Sequence, residues 1–374
     1  MQNIVVLGAG MVGSAIASDL AKNYEITVVD LDVKNLAALK TKHHLNTISA
    51  DIRNENLLKS IIKGAHLVIG AVPGYMGFNT LKAIIEAGKN VVDISFFDED
   101  PFLLDKLAKK NNVTAIVDCG VSPGLSNIIL SYYSRKMNIE KYECLVGGLP
   151  FKRTLPYEYK APFSPIDVIE EYTRPARIVE DGKIVTKPPL SELEEIEVEQ
   201  VGTLEAFNTD GLRTLLKTMS VPNMKEKTLR YPGHISLIKF LDSSGFFGKE
   251  NIEVNSSNVR PIDVTAKLLF KHWKPAKDER EFTVMKINLE GEKNGKRQKI
   301  SCSLFDEYHQ KTGVSSMART TGYTCTAAAR LILENKFERR GICPPEFLCE
   351  VKGNYYHIID ALETKGITLK WTDK

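Results

Sequence analysis

In the first third of the chain the apolar positions fall into short unbroken runs instead of alternating with polar ones. Such runs occur at 3–7, 26–30, 67–72, 91–94 and 114–117. Strands buried on both faces read this way. Stretches of helical period lie between them. In "NTLKAIIEAGKN" (79–90), Leu81, Ile84, Ile85 and Gly88 recur at helical spacing, and Gly88 is placed to end the helix. Strands and helices alternating in this manner predict a doubly wound parallel sheet to about residue 122. The pattern then changes. "SPGLSNIILSYYSRKM" (122–137) predicts a helix with Ser122 as N-cap and Pro123 at its first position. From about 140 to 310 the runs are shorter and broken by Pro and Gly, as in "YECLVGGLPF", "KIVTKPPL" and "RQKISCSLFD", which predicts a mixed or antiparallel sheet with a few helices. Helical period returns at 321–335 and near 355–365. The expected organisation is α/β throughout: a doubly wound domain over 1–122, a second α/β domain over 123–315, and a helical C-terminal segment over 316–374 that returns to the first domain.

The opening run, "IVVLGAGMVGSAIASDL" (4–20), has two readings. As a secretory signal it lacks the positive start, because Met1-Gln2-Asn3 carries no Lys or Arg. As a nucleotide cradle it is complete. Gly8, Gly10 and Gly13 form GxGxxG between a strand-like run and a helix-like one, and a second strand ends in Asp30. Gly8 permits the turn, Gly10 lets a pyrophosphate approach the backbone, and Gly13 lets helix and sheet pack closely. The N–H groups and dipole of the helix start favour phosphate. Asp30 can accept from both ribose hydroxyls and repels a 2′-phosphate, while Leu31-Asp32-Val33 offers no arginine. The expected cofactor is therefore NAD in preference to NADP. The alternative for Asp30 is a carboxylate that caps the next helix.

Composition narrows the function classes. A formal net charge of +3 with 26% charged residues, dispersed along the chain, gives no nucleic-acid groove. The most biased stretch, "SELEEIEVEQ" (191–200), reads as a solvated strand or loop. No apolar stretch approaches the ~20 residues of a membrane span. Six scattered cysteines without CxxC fit a reduced, cytoplasmic protein, and seven histidines without HExxH or a Cys/His cluster predict no metal.

In an open parallel sheet the ligand sits beyond the carboxyl ends of the strands. Those ends carry "GAVPGYMGF" (70–78), "VVDISFFDED" (91–100) and "IVDCGVSPG" (116–124). Asp93 and Asp118 stand at successive strand ends, where each could serve chemistry or cap a turn. Taken together, "GAGMVG", "SAD" (49–51), "VDISF", "VDCGVSPGLSNI", "VGGLP", "SPIDVIEEYTRPARIVEDGK", "TLRYPGH" and "MARTTGYT…RGICPPE" resemble the saccharopine dehydrogenase-like family. Within it, the chain is most similar to the single-polypeptide L-lysine 6-dehydrogenases of archaea and bacteria. The resemblance implies a Rossmann domain, a second domain for substrate and dimer contacts (hence a homodimer or higher homo-oligomer), and oxidation of an amine-bearing carbon by a nicotinamide. Carried over, Gly8, Gly10, Met11, Val12 and Gly13 contact pyrophosphate, and Asp30 the ribose. Ala50 and Asp51 lie near the adenine. Ala71, Val72 and Ser95 line the path to the nicotinamide, which the "VGGLP" turn (146–150) approaches. Saccharopine reductases carry an acidic residue immediately before the Pro-Gly; here Ser122 occupies that place. Arg213 stands where some bacterial lysine dehydrogenases have a small residue.

The expected reaction is NAD-dependent oxidative deamination of the lysine ε-amine. It yields ammonia and 2-aminoadipate 6-semialdehyde, which cyclises to piperideine carboxylate. Only a neutral amine can release hydride, so a general base is needed, with Asp118 and Asp93 as candidates. Arg213 and Arg230 are candidates for the substrate carboxylate, with salt bridges as the alternative. His234 is a candidate polar contact or relay, with a core histidine as the alternative. Tyr157 and Tyr159 are expected to pack. Competing functions are a saccharopine-type or carboxyspermidine-type reductase and a non-catalytic dinucleotide-binding scaffold. Later motifs do not suggest an aspartate- or homoserine-type dehydrogenase.

Overall fold

The first apolar run becomes β1 (Asn3–Leu7), in which Ile4, Val5, Val6 and Leu7 are all buried. It is followed by β2 (Glu25–Asp30), β3 (Asn46–Ser49), β4 (Leu67–Gly70), β5 (Val91–Asp93) and β6 (Thr114–Ile116). In this computed structural model, which describes residues 1–43, 45–161, 165–276 and 279–373, the strands lie in the order β3-β2-β1-β4-β5-β6, all parallel. A seventh strand, Gly341–Cys343, pairs in parallel with β6. The helices α1 (Met11–Leu20), α2 (Val33–His43), α3 (Glu55–Ile62), α4 (Gly74–Glu86) and α5 (Asp105–Lys110) connect the strands. The connections run in opposite directions from β1 and β4, which makes the gap between their carboxyl ends the switch point where such sheets bind ligands.

The predicted strands are present, and α4 stops before Gly88, which takes the left-handed φ of +67°. β3 was not predicted because it is short, polar and mostly exposed. The helix expected from Ser122 begins later. Pro123 O accepts from Gly120 N–H (3.0 Å), which keeps 120–124 in a closed loop. Gly124, at φ +134°, is the N-cap of α6 (Leu125–Ser134), and the Asn127 side chain reaches back to accept its N–H. Ser122 is therefore not the cap. Its Oγ accepts from Ser126 Oγ (3.1 Å).

The chain divides into two compact units, one comprising 1–136 with 317–368, the other 137–316 with the residues from 369 on. The first unit thus extends past the expected boundary at 122. α6 packs on the turn Pro345–Glu350, where Ser131 Oγ donates to Glu346 O (2.6 Å) and Asn127 Nδ2 to Glu346 Oε2 (2.9 Å). The C-terminal segment does return to the dinucleotide-type sheet, but its last part does not. Leu369–Asp373 is a strand that pairs with Lys296–Glu307 of the second unit.

Helix Ser316–Leu333 lies on α1. At Gly322 an added Cβ would stand 3.2 Å from Ile16 Cγ1, so the helices approach closely there. Asp19 joins the same contact, accepting from Arg330 (2.9 Å), Thr326 Oγ1 (2.9 Å) and Lys365. Burial alone would raise its carboxyl, but the two cations outweigh that and hold it at about 2. A depressed carboxyl stabilises the fold above its unfolded pKa, and that gain is lost as pH falls toward the folded value. Against the ordinary 3.8, the ionised Asp19 contributes about 2 kcal/mol at pH 7 and about half of that near pH 3. Asp19→Asn is expected to lose that much in urea titrations at pH 7, with the gap to the parent narrowing on acidification. A gap independent of pH would rule out the charge as its source.

In the second unit a mixed sheet runs in the order 194–198, 202–208, 223–230, 138–150, 281–293, 296–307 and 369–373. Among the described residues of this unit only 138–150 and 223–230 pair in parallel. The long hairpin Glu281–Lys293/Lys296–Glu307 turns on Asn294 and Gly295, both at positive φ, the backbone a two-residue Asn-Gly turn requires. Trp273, Tyr172, Phe207 and Phe282 fill the core against this sheet. The acidic stretch forms the strand Glu194–Val198, with its side chains alternately exposed. Ser164, which opens one of the fragments quoted above, lies outside the described residues. Among the described residues no helix is long and apolar enough to cross a membrane.

Candidate active site

The three glycines of the opening motif are required for different reasons. Gly8 has φ +108°, and a Cβ there would stand 2.2 Å from the carbonyl oxygen of Ala71 at the end of β4. A Cβ on Gly13 would meet the Gly8 oxygen at 2.2 Å. These two are demanded by the protein's own packing. Gly10 is not: it is exposed, has ordinary φ (−66°), and has nothing within 4 Å of its Cβ position. It is also the N-cap of α1, and no side chain caps that helix. The start of α1 thus lacks a side-chain cap and is clear of protein atoms beside Gly10, at the switch point, as a diphosphate on a helix N-terminus needs. The residues present fit a dinucleotide.

Asp30 closes the loop from the other side. Its Oδ2 accepts from Ala9 N–H (2.5 Å) and its Oδ1 from Asp32 N–H (2.7 Å). It does not cap α2, since Asp32 accepts the first-turn N–H of Lys34 (2.8 Å) instead. The half-buried Asp30 carboxylate is thus fixed beside the glycine turn. On the next strand, Ala50 N–H donates to Asp30 O (3.1 Å). Asp51 binds Arg53 with both oxygens, at 2.6–3.1 Å.

Across the switch point the ends of β4, β5 and β6 follow in sequence. Val72 and Ser95 are nearly buried, and Ala71 partly so. Asp93 is 0% exposed. Its Oδ1 accepts from Ser95 N–H (2.8 Å) and its Oδ2 from Ser95 Oγ (3.3 Å). The Oδ2 lies 1.9 Å from where a Cβ on Gly70 would be, so β4 must end in glycine to seat it. Asp118 is 2% exposed and has φ +52°. Positive φ is uncommon for a non-glycine residue, and such strain clusters at functional sites. Asp118 opens the 118–124 loop, which leads to the half-buried Ser122. The thiols of Cys119 and, from the C-terminal helix, Cys325 border the same spot. Burial pushes both up; Asp118 and then Asp93 add to the effect on Cys119, and Cys119 and then Asp93 to that on Cys325, which disfavours either thiolate. Sequence spacing gave no sign of Cys325, which lies far along the chain and meets Asp93 only through the returning helix.

The other expected contacts lie in the second unit. Arg230 is 3% exposed and internally occupied: it donates to Tyr172 Oη (2.8 Å), Glu171 Oε2 (3.1 Å) and Leu229 O (2.9 Å), and lies over the Tyr159 ring. His234 is held at both ring nitrogens, by Tyr172 Oη (2.9 Å) and Tyr157 O (2.7 Å). Burial, reinforced by the Arg230 charge, lowers it to about 3, so it stays neutral. Both belong to the interior of this unit. Tyr159 packs there as expected. The "VGGLP" segment is not a turn but the end of the strand Asn138–Pro150, where Gly147 admits the Leu229 backbone. Arg213 is 7% exposed, at φ +44°. It belongs to an electropositive group that sequence reasoning missed. Burial and then the Arg213 charge lower the neighbouring Arg174 to about 10, while Asp210 is taken bidentately by Arg177.

Residues 4–116 match the saccharopine dehydrogenase NADP binding domain, and residues 120–367 the saccharopine dehydrogenase C-terminal domain. The chain is 24% identical over 278 residues to the mitochondrial alpha-aminoadipic semialdehyde synthase of Rattus norvegicus, matching 70% of this chain but 30% of that protein. It therefore spans under a third of the first curated relatives it matches. It is 23% identical to the saccharopine dehydrogenase [NADP(+), L-glutamate-forming] of Schizosaccharomyces pombe, over 99% of this chain and 98% of that one. In fold it resembles the apo saccharopine dehydrogenase (L-Glu forming) of Saccharomyces cerevisiae, with a TM-score of 0.80 at 20% identity and full coverage of both chains. A nicotinamide dinucleotide is thus the cofactor class of the first unit. With both family domains matched in order along one polypeptide, the chain belongs to the saccharopine dehydrogenase family.

Proposed function

We propose that this protein is an NAD-dependent L-lysine 6-dehydrogenase, releasing ammonia and the semialdehyde. The relatives' names concern saccharopine and alpha-aminoadipic semialdehyde, which supports an amine-bearing substrate of this size. The observation that carries lysine over saccharopine is at Ser122. The family resemblance implies an acidic residue here in saccharopine reductases. This chain has a half-buried hydroxyl whose neighbour is another hydroxyl, Ser126 Oγ. A larger substrate with an extra amino-acid arm would lose that polar contact.

When bound, the nicotinamide would accept a hydride from the ε-carbon. The chain's part is to deprotonate and position the amine. An ordinary lysine ε-amine, with pKa ~10.4, is neutral at pH 7 only at a cost of roughly 4–5 kcal/mol. Asp118 is the proposed base: it accepts the ammonium proton and releases it to solvent, then takes a proton from the water that attacks the iminium left by hydride loss and returns it to the departing amine. Asp93, with both oxygens already accepting from Ser95, holds the β5 turn in place. The rate at fixed lysine is expected to climb from pH 7 toward pH 10 as the neutral amine becomes available. A pH–rate profile that is flat or falls across that interval speaks against amine deprotonation as the demand on the site.

For the cofactor, the family model is named for NADP, but the reading favoured here is NAD. Asp30 cannot swing aside without releasing two backbone N–H groups. A like charge about 4 Å away costs about 1–4 kcal/mol per unit charge for effective dielectrics between water and a protein surface. Asp30→Ser is therefore expected to shift the NADP-to-NAD preference at least about tenfold toward NADP. An unchanged ratio in kcat/KM argues against contact between Asp30 and the ribose.

A second reading, a saccharopine-type reductase, is supported by the end-to-end match to the fission yeast enzyme. Lysine alone against saccharopine, each with NAD, separates the two. Reduction of NAD by saccharopine but not by lysine selects the second.

A further inference from the structure

No arginine follows β2 in Leu31-Asp32-Val33, but one follows the neighbouring strand β3: Arg53. Ser49 of β3 is in register with Asp30, and Ala50 N–H bonds the Asp30 carbonyl, so the chain from Ala50 to Arg53 leaves the sheet beside the Asp30 carboxylate. Asp51 receives the Arg53 guanidinium on both oxygens, with Nε at 2.9 and 3.1 Å and Nη2 at 2.6 Å, and accepts its backbone N–H as well (3.1 Å). This is the two-pronged geometry an arginine uses on phosphate. The pair is open to water, with side chains 66% and 40% exposed, so it can exchange partners without disturbing the core.

Resting on the dinucleotide reading above, we propose that Arg53 is a latent ligand for the 2′-phosphate of NADP, kept from that role by Asp51. Two carboxylates then set the preference for NAD. Asp30 repels the phosphate directly, and Asp51 occupies the Arg53 guanidinium, whose fork could otherwise bind it. The neutralised pair also explains why an arginine can sit next to the ribose site of a chain that favours NAD. With Asp51 in place Arg53 presents little net charge to the nucleotide; with Asp51 made neutral its guanidinium is released toward the ribose.

The test is calorimetric titration of the full chain with NAD and with NADP. The ratio Kd(NADP)/Kd(NAD) is expected to fall about tenfold in Asp30→Ser, and about fivefold or more again in Asp30→Ser/Asp51→Asn. Adding Arg53→Ala to the double variant should remove the second gain and flatten the salt dependence of NADP binding. Since Asp30 also holds Ala9, its replacement can disturb the loop, so Asp51→Asn is also compared with Asp51→Asn/Arg53→Ala in the parent background. There NADP binding should tighten a fewfold only when Arg53 is present. A double variant no better than Asp30→Ser alone, or a gain that survives Arg53→Ala, overturns the proposal while leaving NAD binding intact. Absence of binding of either nucleotide to the parent overturns the dinucleotide reading itself.

Discussion

Asp118→Asn is expected to lower kcat at saturating lysine by about two to four orders of magnitude, the usual contribution of a positioned base, while NAD binding stays near that of the parent. The asparagine keeps the size of the side chain but cannot accept a proton from the ammonium or from water. Asp93→Asn is expected to act differently. Its carboxylate is 0% exposed, accepts two bonds from Ser95 and is lodged against Gly70. An amide turned the wrong way there sets an N–H against the Ser95 N–H, so the loss should appear in thermal stability as well as in rate. The two variants are compared by steady-state kinetics across pH together with thermal melts. If the Asp118 variant turns over at near the parent rate, Asp118 is not the base; if both do, neither carboxylate is.

The second large effect separates two glycines two residues apart. Gly8→Ala is expected to cost roughly 3–5 kcal/mol of stability, because its Cβ would sit 2.2 Å from a backbone oxygen at a left-handed φ of +108°. Gly10→Ala meets no protein atom within 4 Å. Its unfolding free energy should stay within about 1 kcal/mol of the parent, the scale of a changed N-cap, while its dinucleotide affinity falls about tenfold or more because the methyl occupies the path of the pyrophosphate. Urea unfolding and calorimetry on both variants check this. A Gly10→Ala protein that binds nucleotide like the parent means the open space above α1 is not a phosphate site.

Much of the first unit was legible because its signals are local. Continuous apolar runs mark β1, β2, β4, β5 and β6, and the glycine spacing marks the turn off β1. What escaped was governed by contacts between distant segments. β3 and Gly341–Cys343 are short edge strands that carry little pattern of their own and exist because a neighbour pairs with them. Leu369–Asp373 falls in the stretch expected as a helical C-terminal segment because nothing local identifies its partner, Lys296–Glu307. The reading of Ser122-Pro123 as a helix start followed a sound propensity, but the Gly120–Pro123 bond holds those residues in a loop and moves the cap to Gly124. Among the candidate site residues, the strand-end positions were found because an open parallel sheet dictates where they must be. Arg230 and His234 were indistinguishable in sequence from ligand-binding groups. Only the partners supplied by Glu171, Tyr172 and Tyr157 identify them as interior residues. Arg174 and the Asp51–Arg53 pair went unnoticed for the same reason: a charge acquires meaning from what faces it.

The most direct measurement is optical detection of reduced nicotinamide when the purified chain is mixed with NAD and a panel of free amines and amino acids at alkaline pH. Reduction with L-lysine, matched mole for mole by ammonia, is the expected result. Nucleotide bound tightly but left oxidised by lysine at every pH tested would contradict it.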